Sequence, residues 1–190
     1  MPDQYIVEHA SPTLAGLKTG NLFPVKLEKG RDICREIRNL NRTIRKKGLR
    51  AVLLQKTETK ALVYLYRPDY LNRDLKKPEA RRILNEKGYA QMNMDRCIAQ
   101  LAQHFKEDDA FPHEIGLFLG YPPEDVRGFM EDPRKGVKTV GFWKVYGDAE
   151  EARKTFSRFR KCTEIYRKEI ENGKTLFQLA VRTNRRGDQV

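Results

Sequence analysis

The chain has 190 residues, 39% of them hydrophobic and 34% charged, with a formal net charge of +12. That length accommodates one domain whose folding buries roughly 70% of the unfolded surface, so neither disulfides nor metals are needed for a core. The longest apolar run, Ile115–Tyr121, is far short of the ~20 residues of a spanning helix. Met1-Pro2-Asp3-Gln4 lacks the basic and apolar regions of a secretory leader. A cytoplasmic protein with no membrane partner is therefore expected.

Charge is unevenly distributed. Residues 31–60 carry ten Lys/Arg against three Asp/Glu, whereas residues 106–132 carry two against eight. The molecule should present a basic region and an acidic one. The three cysteines, Cys34, Cys97 and Cys162, form no C-x-x-C pair that would suggest zinc or dithiol chemistry. Each falls on or beside an apolar helix face and reads as a small buried hydrophobe.

In chain order, residues 9–23 contain Pro12, Gly16 and Gly20 without clear periodicity and read as an irregular segment lying on the core. Residues 31–47 predict a helix, since Ile33, Ile37, Leu40 and Ile44 form one narrow stripe and Gly48 suits a left-handed terminus. Its opposite face carries Arg35, Arg38, Arg42 and Arg45. Residues 49–56 and 61–67 predict an antiparallel hairpin of two central strands, being apolar on both faces. Pro78 opens a helix that ends at Gly88, and another begins near Asn93. A third strand is expected over Glu114–Leu119, then a short helix after Pro122-Pro123, and a fourth strand over residues 137–146. Asp148 and Glu151 suit the start of a long helix whose core stripe runs Ala152, Phe156, Phe159, Thr163, Tyr166, Ile170. A short amphipathic piece, Leu176–Val181, precedes a basic tail over 183–190 that reads as disordered. The order predicts an α+β domain over residues 1–182: a mixed sheet of about four strands, covered by helices, with a long C-terminal helix.

The stretch Phe-Pro-His-Glu-Ile-Gly-Leu-Phe-Leu-Gly-Tyr-Pro-Pro-Glu-Asp-Val-Arg-Gly-Phe (111–129) resembles the signature of a bacterial, clostridial-type family of unknown function. Pro-Thr-Leu-Ala-Gly-Leu-Lys (12–18), Tyr-Leu-Tyr-Arg-Pro (64–68) and Gly-Phe-Trp-Lys-Val-Tyr-Gly-Asp (141–148) carry the same likeness, as does the region of Cys162, Tyr166 and Gly173. The resemblance spans roughly residues 9–181. It implies a stand-alone cytoplasmic protein and assigns no activity, with a hint of a redox or iron context. Relatives often carry cysteine where this chain has Ala10, so any function of that thiol would be missing here.

Several residues could carry chemistry. His113, Glu114 and Tyr121 could support acid–base catalysis, or His113 could simply tie the Pro112 corner to the sheet. Adjacent strand residues face opposite sides, which already separates His113 from Glu114 if the strand includes both. The Gly120 turn lacks a phosphate-cradle pattern, and Glu124 and Asp125 in the following helix would repel an anion. Arg35, Arg38, Arg42 and Arg45 form a basic stripe that could attract nucleic acid or an acidic protein, or be an ordinary solvated face. No base-reading motif accompanies it. Lys18 could meet an anionic ligand group or be a surface lysine, and Lys144 with Tyr146 could line a ligand site or a half-buried sheet face. The three histidines, His9, His104 and His113, are scattered and imply no metal site. The sequence therefore names no cofactor and fixes no oligomeric state. It favours a non-enzymatic binding or accessory protein, with a small enzyme or cofactor-binding protein built on His113–Tyr121 as the alternative.

Overall fold

The computed structural model describes residues 1–90, 93–107 and 110–182. Its elements are α1 (Asp3–Leu14), β1 (Gly20–Lys26), α2 (Ile33–Ile44), β2 (Arg50–Lys56), β3 (Lys60–Tyr66), α3 (Pro68–Asp74), α4 (Pro78–Glu86), α5 (Met94–Glu107), α6 (Ile115–Phe118), α7 (Pro123–Glu131), β4 (Thr139–Val140), β5 (Lys144–Val145), α8 (Ala149–Glu171) and α9 (Leu176–Leu179). The expected tail over 183–190 lies outside the described residues.

β3 is the centre of the α+β fold. It pairs antiparallel with β1 on one side and β2 on the other, giving the order β1-β3-β2. Its side chains alternate between the two faces. Ala61, Val63 and Leu65 join one core with α1, α2 and α9. Leu62, Tyr64 and Tyr66 join a second core with α3 to α7. A strand apolar on both faces is thus covered by helices on both.

The expected hairpin is β2–β3, but only β3 is central. β2 is an edge strand with both faces covered, and Asn41 of α2 occupies part of its open edge. The Asn41 side chain donates to the Ala51 carbonyl at 2.8 Å and accepts from the Ala51 N–H at 2.8 Å. It completes the hydrogen bonding that a neighbouring strand would otherwise supply.

Three segments differ from expectation. Residues 9–23 are not irregular: they contain the second half of α1 and the start of β1. Pro12 lies in the last turn of α1, so the hydrogen bond it cannot donate is lost only two residues before the helix ends, and Pro24 is accommodated because β1 is at the sheet edge. Residues 114–119 are not a strand but contain the short helix α6, buried throughout. A short apolar run does not distinguish buried helix from buried strand. Residues 137–146 form only a two-residue pairing, β4–β5, separate from the main sheet. The main sheet is consequently three-stranded and wholly antiparallel instead of mixed. Cys97 and Cys162 are buried as expected, whereas Cys34 is exposed.

Arg67, at the end of β3, is fully buried. Its guanidinium donates to the carbonyls of Thr13 and Leu14, both at 2.7 Å, and of Val181 at 2.9 Å. The last carbonyls of a helix have no intrahelical donors, and Arg67 supplies them from across the fold. The loop after α1 is held in turn, as the Leu17 and Lys18 N–H groups donate to the Pro12 carbonyl at 2.8 and 3.1 Å.

Candidate functional sites

The arginine stripe forms one wall of a groove of about 640 Å3. Arg38, Arg42 and Arg45 stand on α2 and are joined by Arg50 of β2, which sequence reasoning did not single out. Arg35 continues the stripe outside the groove. The floor is β2, and the far wall is α5, with Ile98, Ala99, Ala102 and one carboxylate, Asp95. All five arginines are exposed. Among the described residues none of them makes a salt bridge. Glu36, the acid nearest in sequence, is taken by Arg31 at 2.7 Å, which helps hold its carboxyl down at about 2. Two carboxylates of the acidic segment are engaged elsewhere: Glu131 pairs with Arg127 at 3.9 Å, and Asp132 accepts from the Arg134 and Lys135 N–H groups at 2.8 and 3.2 Å, while Asp108 and Asp109 lie outside the described residues.

The structure brings His113 and Tyr121 to the wall of one apolar hollow but leaves Glu114 out of it. Glu114 is buried, accepting from the Tyr89 hydroxyl at 3.0 Å with its Oε1 2.7 Å from His104 Nδ1. Gln100 Nε2 lies 2.9 Å from the other ring nitrogen of His104. This network ties α5 to the start of α6. Tyr89 and His104 are the partners that sequence reasoning missed; they lie 25 and 10 residues away, so no local pattern links them. His113 faces the hollow, about 270 Å3 in volume, packed edge-on against Phe129 at 4.9 Å. Lys144 lines the same hollow, but its ammonium donates to the Pro133 carbonyl at 2.8 Å.

Lys18 and Tyr121 do come together, in a separate cavity of about 430 Å3. It is walled by the loop after α1, by α3, by the α6–α7 turn and by α8. Gly120, at φ +79°, ends α6, and a Cβ there would stand 2.7 Å from Thr19 Oγ1. This close approach brings Tyr121 against the Lys18 loop. Lys18 is 7% exposed, with its Nζ 5.0 Å from the centre of the Tyr121 ring. Burial alone pulls its pKa down to about 7, and burial pushes the Tyr121 phenol up to about 12. Asp125, also buried, accepts from Trp143 Nε1 at 2.7 Å and from the N–H groups of Tyr146 and Gly147 at 2.7 and 2.8 Å. It fixes the β4–β5 hairpin against α7 and so sets the wall of the cavity.

A model of the family described as protein of unknown function (DUF3793) matches residues 6–180. The chain belongs to this family. No curated protein and no solved structure matches it. For this DUF3793 member the matched region takes in both the groove and the Lys18 cavity, while the family description carries no activity. Among the described residues no helix is long and apolar enough to cross a membrane. Nor does any group of three His, Cys, Asp or Glu side chains among them sit where it could hold a metal ion.

Proposed function

We propose that this protein is a non-enzymatic binding or accessory protein of the cytoplasm, whose α2–α5 groove receives an acidic, extended segment of a partner protein. The observation that supports the reading is the set Arg38, Arg42, Arg45 and Arg50 along one groove with no salt-bridging carboxylate among the described residues. Arg38 to Arg45 span about 10 Å of helix, a reach suited to successive same-side carboxylates of an extended peptide, which recur about every 6.6–7 Å. The wall opposite is made of Ile98, Ala99 and Ala102, which suits side chains of a peptide. Among the described residues the one aromatic lining the groove, Tyr66, is buried and offers no platform for stacked bases. Asp95 adds a negative charge that a continuous phosphate backbone would have to pass. Among the described residues none of the cysteines forms a disulfide, which fits a reducing compartment.

The test is fluorescence anisotropy at low ionic strength with a short labelled peptide rich in Glu and Asp, beside labelled oligothymidylate. The peptide should bind with an affinity that falls as salt is added. The charge reversal R38E/R42E/R45E should weaken it at least about tenfold. Preference for oligothymidylate would redirect the reading to nucleic acid, and absence of binding by either probe would overturn it.

A further inference from the structure

We propose that the cavity between the α1–β1 loop, α3, the α6–α7 turn and α8 is a binding site for a small ligand carrying an oxyanion, carboxylate or phosphate, which pairs with the ammonium of Lys18. This site is separate from the arginine groove and does not depend on it.

Among the described residues the charged groups of the cavity are paired within the protein or exposed at its rim, with one exception. Four cations line the cavity: Lys18, Arg73, Lys77 and Arg158. Arg73 and Lys77 both pair with Asp74, at 3.3 and 3.1 Å, and Arg158 pairs with Glu151 at 3.2 Å. The carboxylates are occupied in the same way. Asp74 also accepts from the Thr19 hydroxyl. Asp125 is saturated by Trp143, Tyr146 and Gly147. Asp148 caps α8, accepting from the Glu150 and Glu151 N–H groups at 2.9 and 3.0 Å. Glu124 and Asp125, expected from the sequence to repel an anion, are engaged away from the ammonium: Glu124 stays exposed at the rim and Asp125 is turned to Trp143, Tyr146 and Gly147. Lys18 remains: it is the deepest of the cations, and among the described residues no oxygen accepts from it.

A buried ammonium without a partner is costly, and protein interiors avoid it by pairing the charge or by losing the proton. Here the Tyr121 ring provides partial relief through its negative face, and burial lets the amine titrate near neutral pH. An oxyanion from a ligand would complete the coordination that the protein leaves open. Neutral Tyr70, Tyr121, Trp143 and Phe159 on the walls offer flat apolar surface to the rest of such a ligand. A cavity of about 430 Å3 falls in the range that holds metabolite-sized molecules.

Trp143 is the single tryptophan of the chain and lines both this cavity and the neighbouring apolar hollow, so its fluorescence reports ligand entry and the Lys18 variants assign it to this cavity. The full-length protein is titrated at pH 6.5 with benzoate and with phenyl phosphate, two probes that share a ring and differ in the anion. A saturable change in Trp143 emission is expected with at least one of them, and the comparison shows which oxyanion is preferred. Lys18→Met keeps the length of the side chain and removes the charge. It should fold, as judged by circular dichroism, and bind roughly tenfold to a hundredfold more weakly. Lys18→Arg should retain part of the affinity. No saturable response from either probe, or a Lys18→Met protein that binds as tightly as the parent, would overturn the assignment. The arginine charge reversal should leave these titrations unchanged, which separates the two sites.

Discussion

The ammonium of Lys18 lies 5.0 Å from the centre of the Tyr121 ring, and this contact stands where an ion pair would otherwise be. The two residues are far apart in sequence and meet because Gly120 packs directly on Thr19. A cation held by an aromatic face in place of a counterion is stabilised only by about 0.5–2 kcal/mol, well below what burial removes.

Stability should therefore rise with pH in the neutral-to-alkaline range. Lys18 has a folded pKa of about 7 against an ordinary value of 10.5, so between these limits the unfolded chain binds the extra proton and folding gains as pH increases. Below pH 7 both states are charged and the full penalty applies. Lys18→Met should be more stable than the parent by up to about 5 kcal/mol at pH 6, with the gap closing toward pH 10. Urea denaturation across that range measures it; a gap independent of pH would contradict the burial argument.

Ligand affinity should show the opposite trend. An oxyanion on Lys18 raises its pKa, so binding takes up a proton when the free amine is neutral. Affinity for the preferred probe should be flat below about pH 7 and fall above it, as followed by Trp143 emission.

Arg67→Met should destabilise the fold by about 3 kcal/mol or more, because the carbonyls of Thr13, Leu14 and Val181 lose their buried donors together. Arg67→Lys should recover little, since one ammonium cannot reproduce the planar fork. Thermal melts of the two variants would decide.

Glu114→Ala and His113→Ala should behave differently from an acid–base pair. The first leaves the Tyr89 hydroxyl and His104 without their buried acceptor and should cost about 2–3 kcal/mol. The second trims a ring packed on Phe129 at the edge of a hollow and should cost less. Chemical denaturation ranks them, and a larger loss for His113 would sink this assignment.

Asp125→Ala should free the β4–β5 hairpin, whose N–H groups at Tyr146 and Gly147 it now accepts from. A loss of about 2 kcal/mol or more is expected. Trp143 emission should shift to the red as its indole loses the Asp125 bond and gains water.

Periodic apolar stripes made the long elements legible: α2 and α8 follow from Ile33–Ile44 and Ala152–Ile170, and the Asp148 cap from its local pattern. α6 was hidden because its side chains are buried on every face, so no polar side marks the helical period. α1 was hidden by Pro12, which marks the end of this helix and not an irregular segment. Arg38, Arg42 and Arg45 could be read as a stripe from spacing alone, whereas Arg50 joins them only through the sheet. Lys18 drew notice as a lysine among glycines, but it meets the Tyr121 ring only in the fold, and no local spacing connects the two. Glu114 was noticed beside the wrong histidine, because the partner that folding supplies is His104.

Asn41 has a consequence for how copies of this molecule meet. Open sheet margins recruit one another and seed fibrils, and natural proteins need a means to interrupt them. Here a single amide, lent by a neighbouring helix, answers both main-chain groups of Ala51 and breaks the run of free donors and acceptors on that margin. The arginines alongside add like-charge repulsion between any two such margins. On this margin a second molecule is offered no continuous run of main-chain groups to extend, while the same flank stays accessible to side chains of opposite charge.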